Sequence, residues 1–195
     1  LSISNATINI TSPNYAVGIR ASDSSKPSTP RNISNVTINA TNTYTSGNAY
    51  GIYAATNIAV SGSNILASAE NAIGTGIFVT SNTRATVIDG KVQGGTYGIN
   101  TDSGSNKGYA TLGTNGDAVS TSAPEIIGGE YALYGYSVNF YDGVLRGGQK
   151  AYQDGIIAAI PDGTTYHVES SVDYDENCWL VDAENYLQIG ETQYN

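Results

Sequence analysis

Methionine is missing from this chain altogether, and cysteine and histidine occur once each, as Cys178 and His167. A single cysteine excludes a disulfide framework and a thiolate metal cluster, and no other metal-ligand set or cofactor motif stands out. One histidine leaves little for a nucleophilic triad, which needs a positioned base. His167, beside Tyr166 on an alternating segment, reads as a strand residue.

Charge is scarce too, at 13% of residues, so the good helix formers Leu, Lys, Glu and Arg are few and a helical protein is disfavoured. What bases there are lie early: residues 1–150 hold eight Lys or Arg against eight Asp or Glu, and beyond Lys150 there are nine acids and no base. The body is neutral and the tail acidic. Nothing supplies the basic face that phosphate contacts require, which excludes nucleic acid as a partner.

No run of 18 or more apolar residues occurs, so any secretion signal or membrane anchor is expected outside this chain. The start at Leu1, without Met and inside a repeat, leads us to expect further coils or a domain before it. What is abundant is Gly (23) and Tyr (15), with Ser, Thr, Asn and Ile, a composition of strands and turns.

Those residues are ordered in a repeat. The segments Ile3-Ser-Asn5-Ala6-Thr-Ile8, Ile33-Ser-Asn35-Val36-Thr-Ile38, Val60-Ser-Gly62-Ser63-Asn-Ile65, Val87-Ile-Asp89-Gly90-Lys-Val92 and Phe140-Tyr-Asp142-Gly143-Val-Leu145 share one pattern. Between the last two, Leu112 is a first anchor, and an insertion through TNGDAVSTSAP delays the second to Ile126. Six coils fit. The residue two past the first anchor is Asn5, Asn35, Gly62, Asp89 or Asp142, types that tolerate a left-handed backbone or cap a bend, so a corner is expected there. Thr114 breaks the match in the Leu112 coil. A third anchor set follows at Ile19, Ile52, Ile77, Ile99, Leu133 and Tyr152.

Coils of 25 to 30 residues with three short strands and no helical segment predict an all-β fold, a single-stranded parallel β-helix over residues 1–160. An antiparallel sandwich is the structural alternative; it predicts hairpin turns and less register between distant segments. After Pro161-Asp162-Gly163 the periodicity changes, and TTYHVESS and CWLV read as strands of a C-terminal β-hairpin cap over 161–195, with YLQIG as a third. A solenoid end exposes unpaired backbone, so a cap is physically required; Trp179, Leu180, Val181 and Leu187 are the expected plug.

The repeated Ile-Ser-Asn-x-Thr-Ile, the Tyr-Gly-Ile strands and NFYDGVLRGG resemble the right-handed parallel β-helix regions in large secreted or wall-attached proteins of Gram-positive gut bacteria. That resemblance covers about residues 1–160 and implies fold and an extracellular or cell-surface location. It carries no catalytic signature.

Asn100-Thr101-Asp102 resembles the NTD signature of polygalacturonases, but the paired-Asp, Gly-His-Gly and Arg-Ile-Lys companions are absent. Arg20, Arg84 and Arg146 are of the type a pectate-lyase-like base needs, without a matching calcium cluster. Asp173, Asp175, Asn177, Leu180 and Glu184 match calcium-loop positions, yet Cys178 stands where the loop needs Gly. An acidic turn is the better reading. The triplets beginning at Asn5, Asn9, Asn32, Asn35 and Asn39 arise where Thr-rich strands meet Asn turns and need no glycosylation on a bacterial surface.

A surface is left. If the third anchors point inward, period-2 alternation sends Gly51, Gly76 and Gly98 outward as a bare column, with Tyr53, Phe78 and Tyr134 outward on the other side. Such a trough suits sugar rings or an extended peptide. The expectation is therefore a monomeric, non-enzymatic display or stalk segment, adhesin-like, with glycan or a host or cell-surface protein as partner and membrane contact only through regions outside the chain. The alternatives are a polysaccharide lyase or glycoside hydrolase of the pectate-lyase-like β-helix superfamily, and a trimeric phage fibre segment.

Overall fold

The computed structural model describes residues 2–23, 28–44, 46–80, 82–102, 104, 107–114, 124–153 and 155–159, and the backbone of 165–169 and 178–182. Among them there is no helix, and hence none long and apolar enough to cross a membrane. Every strand pairing before the C-terminal hairpin is parallel, which removes the antiparallel sandwich.

The strands stack in three faces. Face A takes 3–4 of β1 (Ile3–Ser12), 31–34 of β3 (Arg31–Asn42), then β5 (Ile58–Ser61), β8 (Arg84–Val87), β11 (Tyr109–Leu112), β14 (Ser137–Phe140) and β17 (Ile157–Ala159). Face B takes the remainders of β1 and β3, then β6 (Ser63–Ala69), β9 (Gly90–Gly94), β12 (Glu125–Gly128) and β15 (Val144–Gly147). Face C holds β2 (Ala16–Ser22), β4 (Ala49–Ala55), β7 (Gly74–Val79), β10 (Tyr97–Asn100), β13 (Tyr131–Tyr134) and β16 (Lys150–Tyr152). Because β1 and β3 run unbroken round the A–B corner, those two faces form one hydrogen-bonded sheet.

The repeat anchors are rung partners. On face A, Ile3, Ile33, Val60, Val87, Leu112 and Phe140 pair in succession, and Ile157 opens a seventh turn beside Val138. On face C, Ile19, Ile52, Ile77, Ile99, Leu133 and Tyr152 do the same. Their side chains meet in one core, where Ile52, Ile65, Ile77, Ile99, Leu112, Ile126 and Leu133 are wholly buried. Burying each such side chain contributes roughly 1.5–3 kcal/mol, so the register is set from inside.

The A–B corner is left-handed as expected at Asn5, Asn35 (both φ 53°) and Gly62 (φ 55°). Later coils depart from that position. The left-handed residue is Gly90 rather than Asp89 and Gly143 rather than Asp142, and in the Leu112 coil it is Gly113. The aspartates support the bend through other contacts. Asp89 accepts a hydrogen bond from the Gly62 amide of the preceding coil, and Asp142 is buried against Gly113, whose added Cβ would lie 2.6 Å from the Asp142 Cβ.

At the far end β18 (Thr165–Glu169) and β19 (Cys178–Asp182) pair antiparallel, and β19 continues face B antiparallel to β15. Strands thus occur at two of the three segments where the sequence predicts them. The expected boundary at 160/161, the YLQIG strand and the plug side chains lie outside the described residues.

Candidate functional site

The candidate site is the outer side of face C, and it differs from simple alternation at one position. Gly51, Gly76 and Gly98 are buried, not bare on the surface. A Cβ on Gly51 would lie 2.3 Å from Ile65 Cγ2, on Gly76 2.6 Å from Val92 Cγ1 and on Gly98 2.6 Å from Ile126 Cγ2, all core side chains of face B. Each strand therefore turns two consecutive residues inward, Gly51 with Ile52, Gly76 with Ile77, Gly98 with Ile99. Beside Ile65, Val92 and Ile126 a glycine leaves the room a Cβ would take, whereas in the fifth coil Ala132 fills the place, buried in the same core. The expected glycine trough is not there.

The inward pair brings its flanking residues together outside. Tyr50 and Tyr53, three apart, make ring contact at 5.7 Å, and both touch Phe78 at 5.3 Å. Tyr15 joins them at 5.4 Å from Tyr50, and the Arg20 guanidinium lies 4.9 Å from the Tyr53 centroid. Two rungs on, Tyr97 stacks on Tyr134 at 4.6 Å and 16°, while Tyr131 packs 5.5 Å from Tyr134. Thr75 and Asn100 separate the two clusters in the rung columns.

Tyr53, Phe78 and Tyr134 thus stand on the outer side, half-buried. Tyr15, Tyr97 and Tyr131 complete the patch, with Tyr50 buried beneath Tyr15, Tyr53 and Phe78, and all four escape a period-2 reading, since alternation puts Tyr50 and Tyr53 on opposite sides. The signal is the spacing Tyr-Gly-Ile-Tyr and Tyr-Ala-Leu-Tyr. Burial raises the Tyr97 hydroxyl above the ordinary tyrosine value of 10.0, aided by Glu130, Tyr134 and Tyr131. Tyr15 is raised as well, by burial first and then by Tyr50. Neutral, ring-tiled tyrosines offer π faces and hydroxyl donors together, the chemistry of sugar and peptide contact.

Other catalytic candidates fall elsewhere. The Asn100 Oδ1 accepts from the Asp102 amide at 2.8 Å, and the Thr101 hydroxyl accepts from the Tyr136 amide at 2.8 Å, so NTD closes a corner. On face B, Glu125 lies 3.3 Å from Arg146 and 3.5 Å from Lys91. No group of three or more His, Cys, Asp or Glu side chains suited to a metal occurs among the described residues. The Asp173–Glu184 acidic turn, apart from the strand backbone at 178–182, and the His167 side chain lie outside them.

No protein-family model, curated protein or solved structure matches the chain. Sequence, register and site geometry carry the functional reading.

Proposed function

We propose that the chain is a single-stranded right-handed parallel β-helix serving as a non-enzymatic display or stalk segment of a secreted or cell-surface protein, with glycan or host protein contacted through the aromatic side of face C. The carrying observation is the pair of tyrosine-rich clusters on one side of a register-locked stack. Right-handedness is what twisted parallel strands favour in their crossovers. With rungs ~4.8 Å apart, six coils make a rod about 25–30 Å long. A stiff rod with a repeating aromatic side presents a ligand surface without needing a cleft.

The test is a glycan array on the wild type and on Tyr53→Ala/Tyr134→Ala. Loss of signal in the double variant, with its strand content unchanged by circular dichroism, is the expected result; equal signals sink the proposal. A lyase or hydrolase reading draws on Glu125 between Arg146 and Lys91, a carboxylate and two cations on one outer surface. Turnover of a uronate polymer that disappears in Glu125→Gln would favour it.

A further inference from the structure

A second groove, of about 490 Å³, runs along the outer side of face A, and its chemistry differs from the aromatic patch. Its floor comes from adjacent rungs: Arg84 and Thr86 of β8 point outward between the inward Ala85 and Val87, and Arg84 pairs in register with Tyr109 of β11. Asn57 and Asn82 line the same groove with Thr86, beside Pro30 and Ile58, so its exposed polar groups are amides and a hydroxyl.

Arg84 is held in place before any ligand arrives. Its Nη1 donates to the Thr111 hydroxyl at 2.7 Å, its own amide donates to Asn57 Oδ1 at 2.9 Å, and the guanidinium packs 5.4 Å from the Tyr109 centroid. Tyr109 meets the exposed Tyr136 edge-on at 5.9 Å, and Lys107 lies 4.0 Å from the Tyr136 centroid. The Lys107 carbonyl accepts from the Asn82 amide, which ties this second cation to the groove wall. Neither Arg84 nor Lys107 forms an ion pair with a carboxylate among the described residues. Arg31, on the same face, is by contrast neutralised by Asp23.

Among the described residues these two cations lie on tyrosines beside a polar groove with no carboxylate ion pair, in a chain of net charge -9, so their charge is open to an anionic ligand. We infer that this groove is a binding site for a carboxylate-bearing sugar of an acidic polysaccharide. The Arg84 fork takes the carboxylate, the Asn82 and Thr86 side chains take ring hydroxyls, and Tyr109 with Tyr136 takes an apolar ring face. The volume lies within the roughly 300–1,000 Å³ of small-ligand sites. The site is on a different face from the aromatic clusters and stands or falls apart from them.

Calorimetric titration with hexagalacturonate and with oligosialic acid separates a uronate source from a sialic acid source, and cellohexaose is the neutral comparison. At least one acidic oligomer is expected to bind, more weakly as salt rises, and cellohexaose to bind at least about tenfold more weakly. Arg84→Gln is expected to weaken binding about tenfold or more, the size of one charge-assisted contact, and Lys107→Gln by less. Should Arg84→Gln disturb the fold, the exposed Lys107→Gln and Tyr136→Ala carry the test with the strand signal intact. Binding of neither acidic oligomer overturns the site, as does wild-type affinity in a folded Arg84→Gln. Loss in Lys91→Gln instead would overturn it by moving the contact to face B.

Discussion

Replacing Gly51 by alanine adds a single methyl group, and its consequence separates an inward glycine column from an outward one. The new Cβ would lie 2.3 Å from Ile65 Cγ2 and 2.6 Å from the Gly76 carbonyl oxygen, against an ordinary contact of 3.4–4 Å. Ile65 is wholly buried and cannot swing away, and the carbonyl belongs to the next rung's backbone. Overpacking of this kind costs about 1–3 kcal/mol, and the loss of glycine's freedom in the unfolded chain returns about 0.4–1. With backbone on one side, the upper part of that range applies, for a net loss of about 2 kcal/mol. In a chain of this length that lowers the melting temperature by about 4–8 °C. Urea unfolding followed by circular dichroism reads it as a lower midpoint at unchanged slope. Gly95→Ala is the matched control, since its nearest new contacts are at 3.7 Å; it should stay within about 0.5 kcal/mol of wild type. Combining Gly51→Ala with Ile65→Ala should recover about 1 kcal/mol relative to additivity, because one of the two clashes is removed. If Gly51→Ala were as stable as Gly95→Ala, the column would open outward and the aromatic pairing across it would have no cause.

At the A–B corner, Asn35→Ala should cost about 1 kcal/mol in the same assay, because alanine is poorer than Asn at φ 53°, whereas Asn35→Gly should stay near wild type. Alkaline stability reports on Tyr97: its hydroxyl is raised above 10.0 by burial and then by Glu130, so the folded state keeps a proton that the unfolded chain releases. That contribution is intact below about pH 10 and is lost as pH rises toward the folded value. Tyr97→Phe should therefore show a shallower fall in midpoint between about pH 9 and pH 11 than wild type.

The stack was legible because its inward residues repeat. Ile33, Val60 and Val87 are the same kind of residue at the same place in successive coils, and the structure pairs them rung to rung. Corners were legible as regions but not as residues. An Asp-Gly pair moves the left-handed position to Gly90 and Gly143 because glycine adopts it at less cost than aspartate. The inward glycine was hidden for another reason: whether Gly51 faces in or out depends on Ile65, a residue of another face, and no local pattern contains that distance. The face A groove was less visible still. Arg84, Tyr109 and Tyr136 belong to no repeated position, and only the register joins them.

This division follows from how a solenoid is held. Inward positions are locked by the rungs above and below, so Ile52, Ile77 and Ile99 have almost no freedom to change. Outward positions meet only neighbouring side chains of their own face and solvent, and so the three faces carry different chemistry on one core. Face B sets Glu125 between two cations, face C tiles tyrosines, and face A lays Arg84 and Lys107 on tyrosines beside amides. The double inward turn at glycine is what ties site to scaffold on face C. Without it Tyr50 and Tyr53 could not meet, and the aromatic side would shrink to one column broken at Asn100.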